Sequence, residues 1–415
     1  MHCSVENARR FHILLVYWDV GDIYSFTHYG EKMEQIGINS NVYAGGKIFH
    51  IQSSGNINDL TVQAEIFEAG RIITVEKKKL DSAKVKPSAD EFAEFLKTFH
   101  NEVSWEIELM FFMRDKIRTT SHTVSNNKIG LLFMHKGLLD EAISEFTFTI
   151  EKSPEMVEAY SNLGTCYLQK GDPKSAIEIL RRATNLRPTF PDLKNSLGLA
   201  LIKAHRFDEA QAEFSEALRI NPNYIIVYLN IALAHLENLS KQQTDGTLPA
   251  ESKLKASVIE IFQKTLATNP DFSNYRFYSY RFEKIIKAVE AGTYALAIET
   301  IEDVRNSMQG PNLDETIHGF YLRFLFGGAG KDEKVLTDYR HKLEEHIEEN
   351  PTYADLRNSL GLVYLIQCRN LFLKAMAEFK KAYEINPEYK SAYKNFRLVQ
   401  NDGREFLNLL RAILK

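Results

Sequence analysis

Cysteine is scarce in this chain: three in 415 residues, at Cys3, Cys166 and Cys368. They are widely separated and form no CxxC pair, which excludes a disulfide framework and a thiolate metal site. A reducing compartment, and with it a cytoplasmic location, is the reading that follows. Long apolar runs are also missing. The nearest is Phe11–Trp18, FHILLVYW, preceded by Arg9-Arg10 and ended by Asp19. It falls well short of the ~20 residues that span a bilayer, and it is too short for a secretory or twin-arginine signal. No membrane insertion is expected. Charge of one sign is lacking too: the formal net charge is only −4, so composition makes no case for nucleic acid or an anionic membrane as a partner.

Catalytic signatures are equally absent. The histidines are dispersed, with no HExxH, and there is no GxSxG or Walker A sequence. Gly327-Gly328-Ala329-Gly330-Lys331 has Leu325 where a phosphate loop needs glycine and Asp332 where it needs Ser or Thr, so it reads as a helix-ending turn. No cofactor, no metal and no enzymatic activity are expected. What is present is an ordinary folded composition, 44% hydrophobic and 26% charged, in a chain with room for two or three domains.

Residues 1–32 form an uncertain N-terminal segment, because the strand pattern becomes regular only after Met33, a second candidate start. Over residues 33–85 the period is two. INSNVYAGGKIFHIQSS alternates around Ala44-Gly45-Gly46, and TVQAEIFEAGRIITVEKKK around Glu68-Ala69-Gly70. Both are hairpin signals, and together they predict an antiparallel β-meander of about four strands. Such a sheet serves as a cap or as a separate recognition module; both readings stand. After Pro87, Ser88 and Glu91 make a capping box. A long helix over 88–122 follows, with Phe92, Leu96, Phe99, Val103, Ile107, Met110 and Ile117 on one stripe, widened by Trp105, Phe111, Phe112 and Met113.

A different pattern begins near Thr123. In Val157–Pro188, VEAYSNLGTCYLQKGDPKSAIEILRRATNLRP, large and small residues alternate at fixed offsets: Tyr160, Leu163, Gly164, Tyr167, Gly171, Ala176, Leu180, Ala183, Pro188. Stepping by 34 lands on Pro154 and Pro222, with Gly130, Ala142 and Phe146 before, and Gly198, Ala210, Phe214 and Ala217 after. A fourth unit opens at Ile225, but its closing Pro270 comes 14 residues late, the excess being the polar segment 240–253, read as an inserted loop. Over 271–350 the helical pattern is irregular, and Phe272–Phe282, FSNYRFYSYRF, is aromatic. Regularity returns over 351–387, where DLRNSLGL (Asp355–Leu362) nearly repeats DLKNSLGL (Asp192–Leu199); Ala375, Phe379, Ala382 and Pro387 close that unit. Residues 388–415 complete the chain as capping helices.

This periodicity resembles the tetratricopeptide repeat, a helix–turn–helix unit of 34 residues. The resemblance covers roughly Thr123–Lys415, strongly in the first three units and the last, weakly between. It implies a mainly α chain: a tetratricopeptide α-solenoid (an α-α superhelix) preceded by the small β-meander and the long linking helix. It implies a non-enzymatic scaffold or adaptor that binds partner proteins or peptides in a groove lined by the first helix of each unit. Carried over by position, the groove candidates are Asn127, Asn162, Asn195, Asn230 and Asn358. A ladder of amides offers both donor and acceptor to a peptide backbone. Its register is uneven, with Asn162 and Asn230 at repeat position 6 and Asn127 and Asn195 at position 5. Ser161 and Leu229 stand where a clamp for acidic C-termini would need basic residues. Self-association through the 88–118 helix or the termini is a further expectation. Bacterial proteins of this plan serve in organelle, secretion and pilus assembly, an analogy of fold alone. Two alternatives stay open: a sensor whose β domain binds a ligand that the repeats relay, and an RNA-binding protein using the aromatic helix.

Overall fold

Consecutive positive φ angles at Gly45 (+60°) and Gly46 (+77°) turn β2 (Gln35–Ala44) into β3 (Lys47–Asn56). Only residues that tolerate the left-handed region make such a tight hairpin turn. Ala69 (+48°) and Gly70 (+78°) do the same between β4 (Thr61–Glu68) and β5 (Arg71–Lys79). The computed structural model describes residues 23–25, 35–80, 87–120, 122–245, 251–268, 276–308, 322–323, 326, 332–349, 354–398 and 408. They belong to two units, Met1–Thr120 with Lys136–Leu138, and Ser121–His135 with Leu139–Lys415.

In the first unit the sheet is an antiparallel meander in the order β1-β2-β3-β4-β5. The four expected strands gain a fifth, β1 (Ile23–Ser25), which pairs Ile23 with Ile38 of β2. The remainder of the 1–32 segment lies outside the described residues. One sheet face is apolar, with Ile38, Val42, Phe49, Ile51, Val62, Ala64 and Ile66 all buried. A single sheet face left in water would not be stable, so it needs a cover. Helix α1 (Ala89–Thr120) supplies one through Phe92, Leu96, Phe99, Val103, Ile107 and Met110. Burying each large apolar side chain contributes roughly 1.5–3 kcal/mol. The approach is close: a Cβ on Gly55 would lie 2.8 Å from Phe92, and the Phe49 and Phe111 rings sit 5.6 Å apart. Ser88 and Glu91 form the capping box at the start of α1, the Ser88 amide donating to Glu91 Oε2 at 2.8 Å. Trp105 and Phe112, read as widening the stripe, are 45% and 44% exposed. They lie beyond the arc of α1 that the sheet can cover.

The second unit is built from helix pairs: α2 (Thr123–His135) with α3 (Leu139–Lys152), α4 (Val157–Gln169) with α5 (Pro173–Leu186), and α6 (Pro191–Lys203) with α7 (Phe207–Ile220). Each pair closes on a glycine. A Cβ on Gly130 would lie 2.6 Å from Phe146, on Gly164 2.6 Å from Leu180, and on Gly198 2.4 Å from Phe214. The small–large alternation of the sequence is therefore an alternation of seats and plugs. Then follow α8 (Ile225–Asp245), α9 (Glu251–Thr268), α10 (Arg276–Glu290), α11 (Tyr294–Met308) and α12 (Glu333–Glu349).

The segment 240–253, expected as an inserted loop, is helical at both ends, Ser240–Asp245 continuing α8 and Glu251–Lys253 opening α9. Lysine and glutamine in KQQ favour helix, and the first breaker is Gly246. In the aromatic stretch, Phe282 is fully buried 5.1 Å from the Phe262 ring, whereas Tyr280 is exposed; residues 272–275 and the Gly327–Lys331 turn lie outside the described residues. The C-terminal unit, expected as a helix pair, is one continuous helix, α13 (Ala354–Ile385). Its centre, Gln367–Leu373, contains neither glycine nor proline, so nothing local stops the helix. Of the capping segment, residues 390–398 are helical, and Tyr393 and Phe396 pack against Tyr383 of α13.

Candidate functional site

The first helices of successive repeats, α2, α4, α6 and α8, carry four of the five candidate asparagines. The structure joins them two by two. Asn162 Nδ2 donates to Asn127 Oδ1 at 3.1 Å, and Asn230 Nδ2 donates to Asn195 Oδ1 at 2.6 Å. Each pair is separated by 35 residues, one more than the repeat, so position 5 of one unit meets position 6 of the next. The uneven register seen in the sequence is what lets the amides meet. Asn127, Asn195 and Asn230 are buried, and Asn162 is half-buried. The amides thus spend part of their hydrogen-bonding capacity on each other. Asn358 stands apart from them, exposed on α13.

Beside the buried stripe of α4 and α6 runs a second, half-buried set of residues. Ser161, Asn162, Thr165 and Leu168 recur at helical spacing on α4, and Ser196 and Leu199 on α6. Leu168 and Leu199 also pack against the apolar core. The arrangement is a strip of hydroxyls and an amide with an apolar floor, which can take both the polar backbone and the side chains of an extended peptide. Of this strip, sequence reasoning named Asn162 as a groove candidate and Ser161 only as a groove position that lacks the basic residue of a clamp. The signal available for the others was their i, i+4 and i+7 spacing.

The turn entering α5 is held by Asp172, whose carboxylate accepts from the Ser175 amide at 3.0 Å and the Ser175 hydroxyl at 2.6 Å. Those bonds hold the Asp172 carboxyl below the usual range. Burial pushes the Cys166 thiol up to about 12, which keeps it protonated and unreactive. A second concavity, about 880 Å³, is lined by His205, Gln211, His235, Asn238, Leu254 and Ser257. Burial lowers the pKa of His235 and favours the neutral ring. Among the described residues no group of three or more His, Cys, Asp or Glu is placed to hold a metal ion, and no helix is long and apolar enough to cross a membrane.

Residues 133–199 match one tetratricopeptide-repeat family and residues 191–224 match a second. Residues 133–224 are tetratricopeptide repeats. Human protein O-mannosyl-transferase TMTC3 is 24% identical over 345 residues, covering 76% of this chain and 33% of that protein. DnaJ homolog subfamily C member 3 of Rattus norvegicus is 29% identical over 137 residues, 32% of this chain and 25% of that protein. The chain thus spans a third or less of these curated relatives. Among solved structures, MamA is 21% identical with a TM-score of 0.34, covering 43% of this chain and 96% of that one. YrrB, described as a TPR protein with an unusual peptide-binding site, is 20% identical with a TM-score of 0.31, covering 44% and 84%.

Proposed function

We propose that this tetratricopeptide-repeat chain is a non-enzymatic, cytoplasmic scaffold that holds a partner peptide along α4 and α6. The observation that carries this reading is the half-buried strip Ser161, Asn162, Thr165, Leu168, Ser196 and Leu199, on helices that the paired asparagines tie to their neighbours. A preorganised surface costs little ordering on binding. In this reading the buried amides position the helices, and Asn162 is the one amide of the four that also reaches the peptide. Asn358 belongs to the C-terminal helix and serves a separate surface.

The test begins with selection of binding peptides from a random display library on the intact chain. Thr165→Lys combined with Ser196→Lys places two charged side chains in the strip without touching the glycine seats or the leucines that meet the core. Selected peptides should then bind at least about tenfold more weakly, a loss of about 1.4 kcal/mol, with unchanged helicity by circular dichroism. Affinity that does not move would remove the strip from consideration.

A further inference from the structure

Helix α13 contains a seat without its plug. Gly130, Gly164 and Gly198 each lie so near a large side chain of the following helix that an added Cβ would come within 2.6 Å of it. Gly361 occupies the same place in DLRNSLGL as Gly198 in DLKNSLGL, yet it is exposed, and among the described residues nothing lies within 4 Å of its Cβ direction. The plug exists in the sequence. Ala210, Phe214, Ala217 and Pro222 follow Gly198, and Ala375, Phe379, Ala382 and Pro387 follow Gly361 with every offset longer by two residues. Because α13 is continuous, Gly361 and Phe379 sit 18 residues apart on one rod, about 27 Å along its axis. They cannot meet within one straight helix.

The surface of α13 agrees. Its first half is covered by α12: Leu356, Val363 and Ile366 pack against Leu336, Leu343 and Ile347. That cover ends near Lys374, which pairs with Glu333 at the start of α12. From Ala375 to Ile385 no residue is fully buried: Met376, Phe379, Ala382 and Tyr383 are half-buried, Tyr383 against Tyr393 and Phe396, and the rest are exposed. This half nonetheless carries the complete small–large pattern that is buried in α7, where Ala210, Phe214 and Ala217 are all at 0% exposure.

We propose that the chain self-associates by exchanging the halves of α13 with a second copy. The first half of one copy's α13 receives the second half of the other's, antiparallel, with Phe379 of each copy over Gly361 of the other. The two-fold axis passes beside residue 370, midway between them. A second copy is the occupant because it brings a helix with this plug pattern while leaving α13 unbroken, and a two-fold exchange satisfies both seats at once. The exchange uses α13, not the 88–118 helix, and it is independent of peptide binding by α4 and α6.

The mass of the intact chain in solution, by light scattering, should be twice 47.7 kDa. A triple variant, Asn370→Gly with Leu371→Asp and Phe372→Pro, installs at the equivalent repeat positions the Gly171-Asp172-Pro173 turn that separates α4 from α5. It should close the pair within one chain and return the mass to that of a monomer, with helicity kept. A second measurement places the contact. In a Cys3→Ser, Cys368→Ser background, Gly361→Cys and Phe379→Cys chains are co-expressed under separate tags and treated with a short bis-maleimide. The expected product is a cross-linked heterodimer. A monomeric natural chain, a triple variant that stays dimeric, or a dimer that gives no such cross-link would each overturn the exchange.

Discussion

Asn230 donates its side-chain amide to Asn195 at 2.6 Å, with both residues buried and one repeat plus one residue between them. The bond is local to two adjacent first helices, so it fixes their register as well as satisfying two polar groups. Asn230→Ala would strand the Asn195 oxygen in a buried setting, at a cost of about 1–3 kcal/mol. Replacing both by leucine should cost less than the sum of the single changes. Asn127 and Asn162 form the more exposed pair and should cost less in the same double-mutant cycle. Chemical denaturation of the four single and two double variants measures this.

The seat-and-plug packing makes a contrast between two glycines. Gly198→Ala drives a methyl into Phe214 and should destabilise the chain by about 1–3 kcal/mol, as overpacking does. Gly361→Ala meets open space within one copy and should stabilise the isolated helix by up to about 1 kcal/mol. Thermal melts of the two variants, with the Gly361 variant followed across protein concentration, separate these outcomes.

Much of this was legible in the sequence, and the reason differs element by element. Gly45-Gly46 announced its hairpin because few other residues take two consecutive positive φ angles, and Ser88 with Glu91 announced α1 because both halves of a capping box are local. The repeat was legible because Gly130, Gly164 and Gly198 recur with their partners. The pairing of the asparagines was not, since it depends on how far one helix slides along another. The continuity of α13 was hidden by its intact small–large pattern. Only the missing breaker between Gln367 and Leu373 distinguishes it from a helix pair.

His205 holds a positive φ of +58° at the turn where Gly171 has +78°, and Gly137 and Gly292 have +72° at the ends of other helices. A side chain in that conformation costs about 1–2 kcal/mol. His205→Gly should recover part of that, raising the melting temperature by a few degrees. His205 also lines the polar concavity beside His235, so an unchanged or lowered melting temperature would mean that the imidazole is held there by contacts worth more than the strain.

His100 of α1 stands between two strands, with Nδ1 2.8 Å from the Ser53 hydroxyl and Nε2 2.8 Å from that of Ser40. Burial, helped by the nearby His50, lowers its pKa to about 4. A depressed histidine takes its proton more readily unfolded, so its contribution is complete above the ordinary value of about 6.5. It is lost as the pH falls from there toward 4, by up to about 3 kcal/mol. Urea unfolding followed by the fluorescence of Trp18 and Trp105 should show that loss in the natural chain and a smaller one in His100→Asn.

That the first helices of the repeats carry the partner is tested most directly by amide hydrogen exchange on the intact chain, with and without a saturating display-selected peptide. Protection should rise on α4 and α6, over Val157–Gln169 and Pro191–Lys203, and stay unchanged over the strands between residues 35 and 79. Protection gained in those strands, with α4 and α6 unaffected, would contradict the groove and move the binding surface to the sheet.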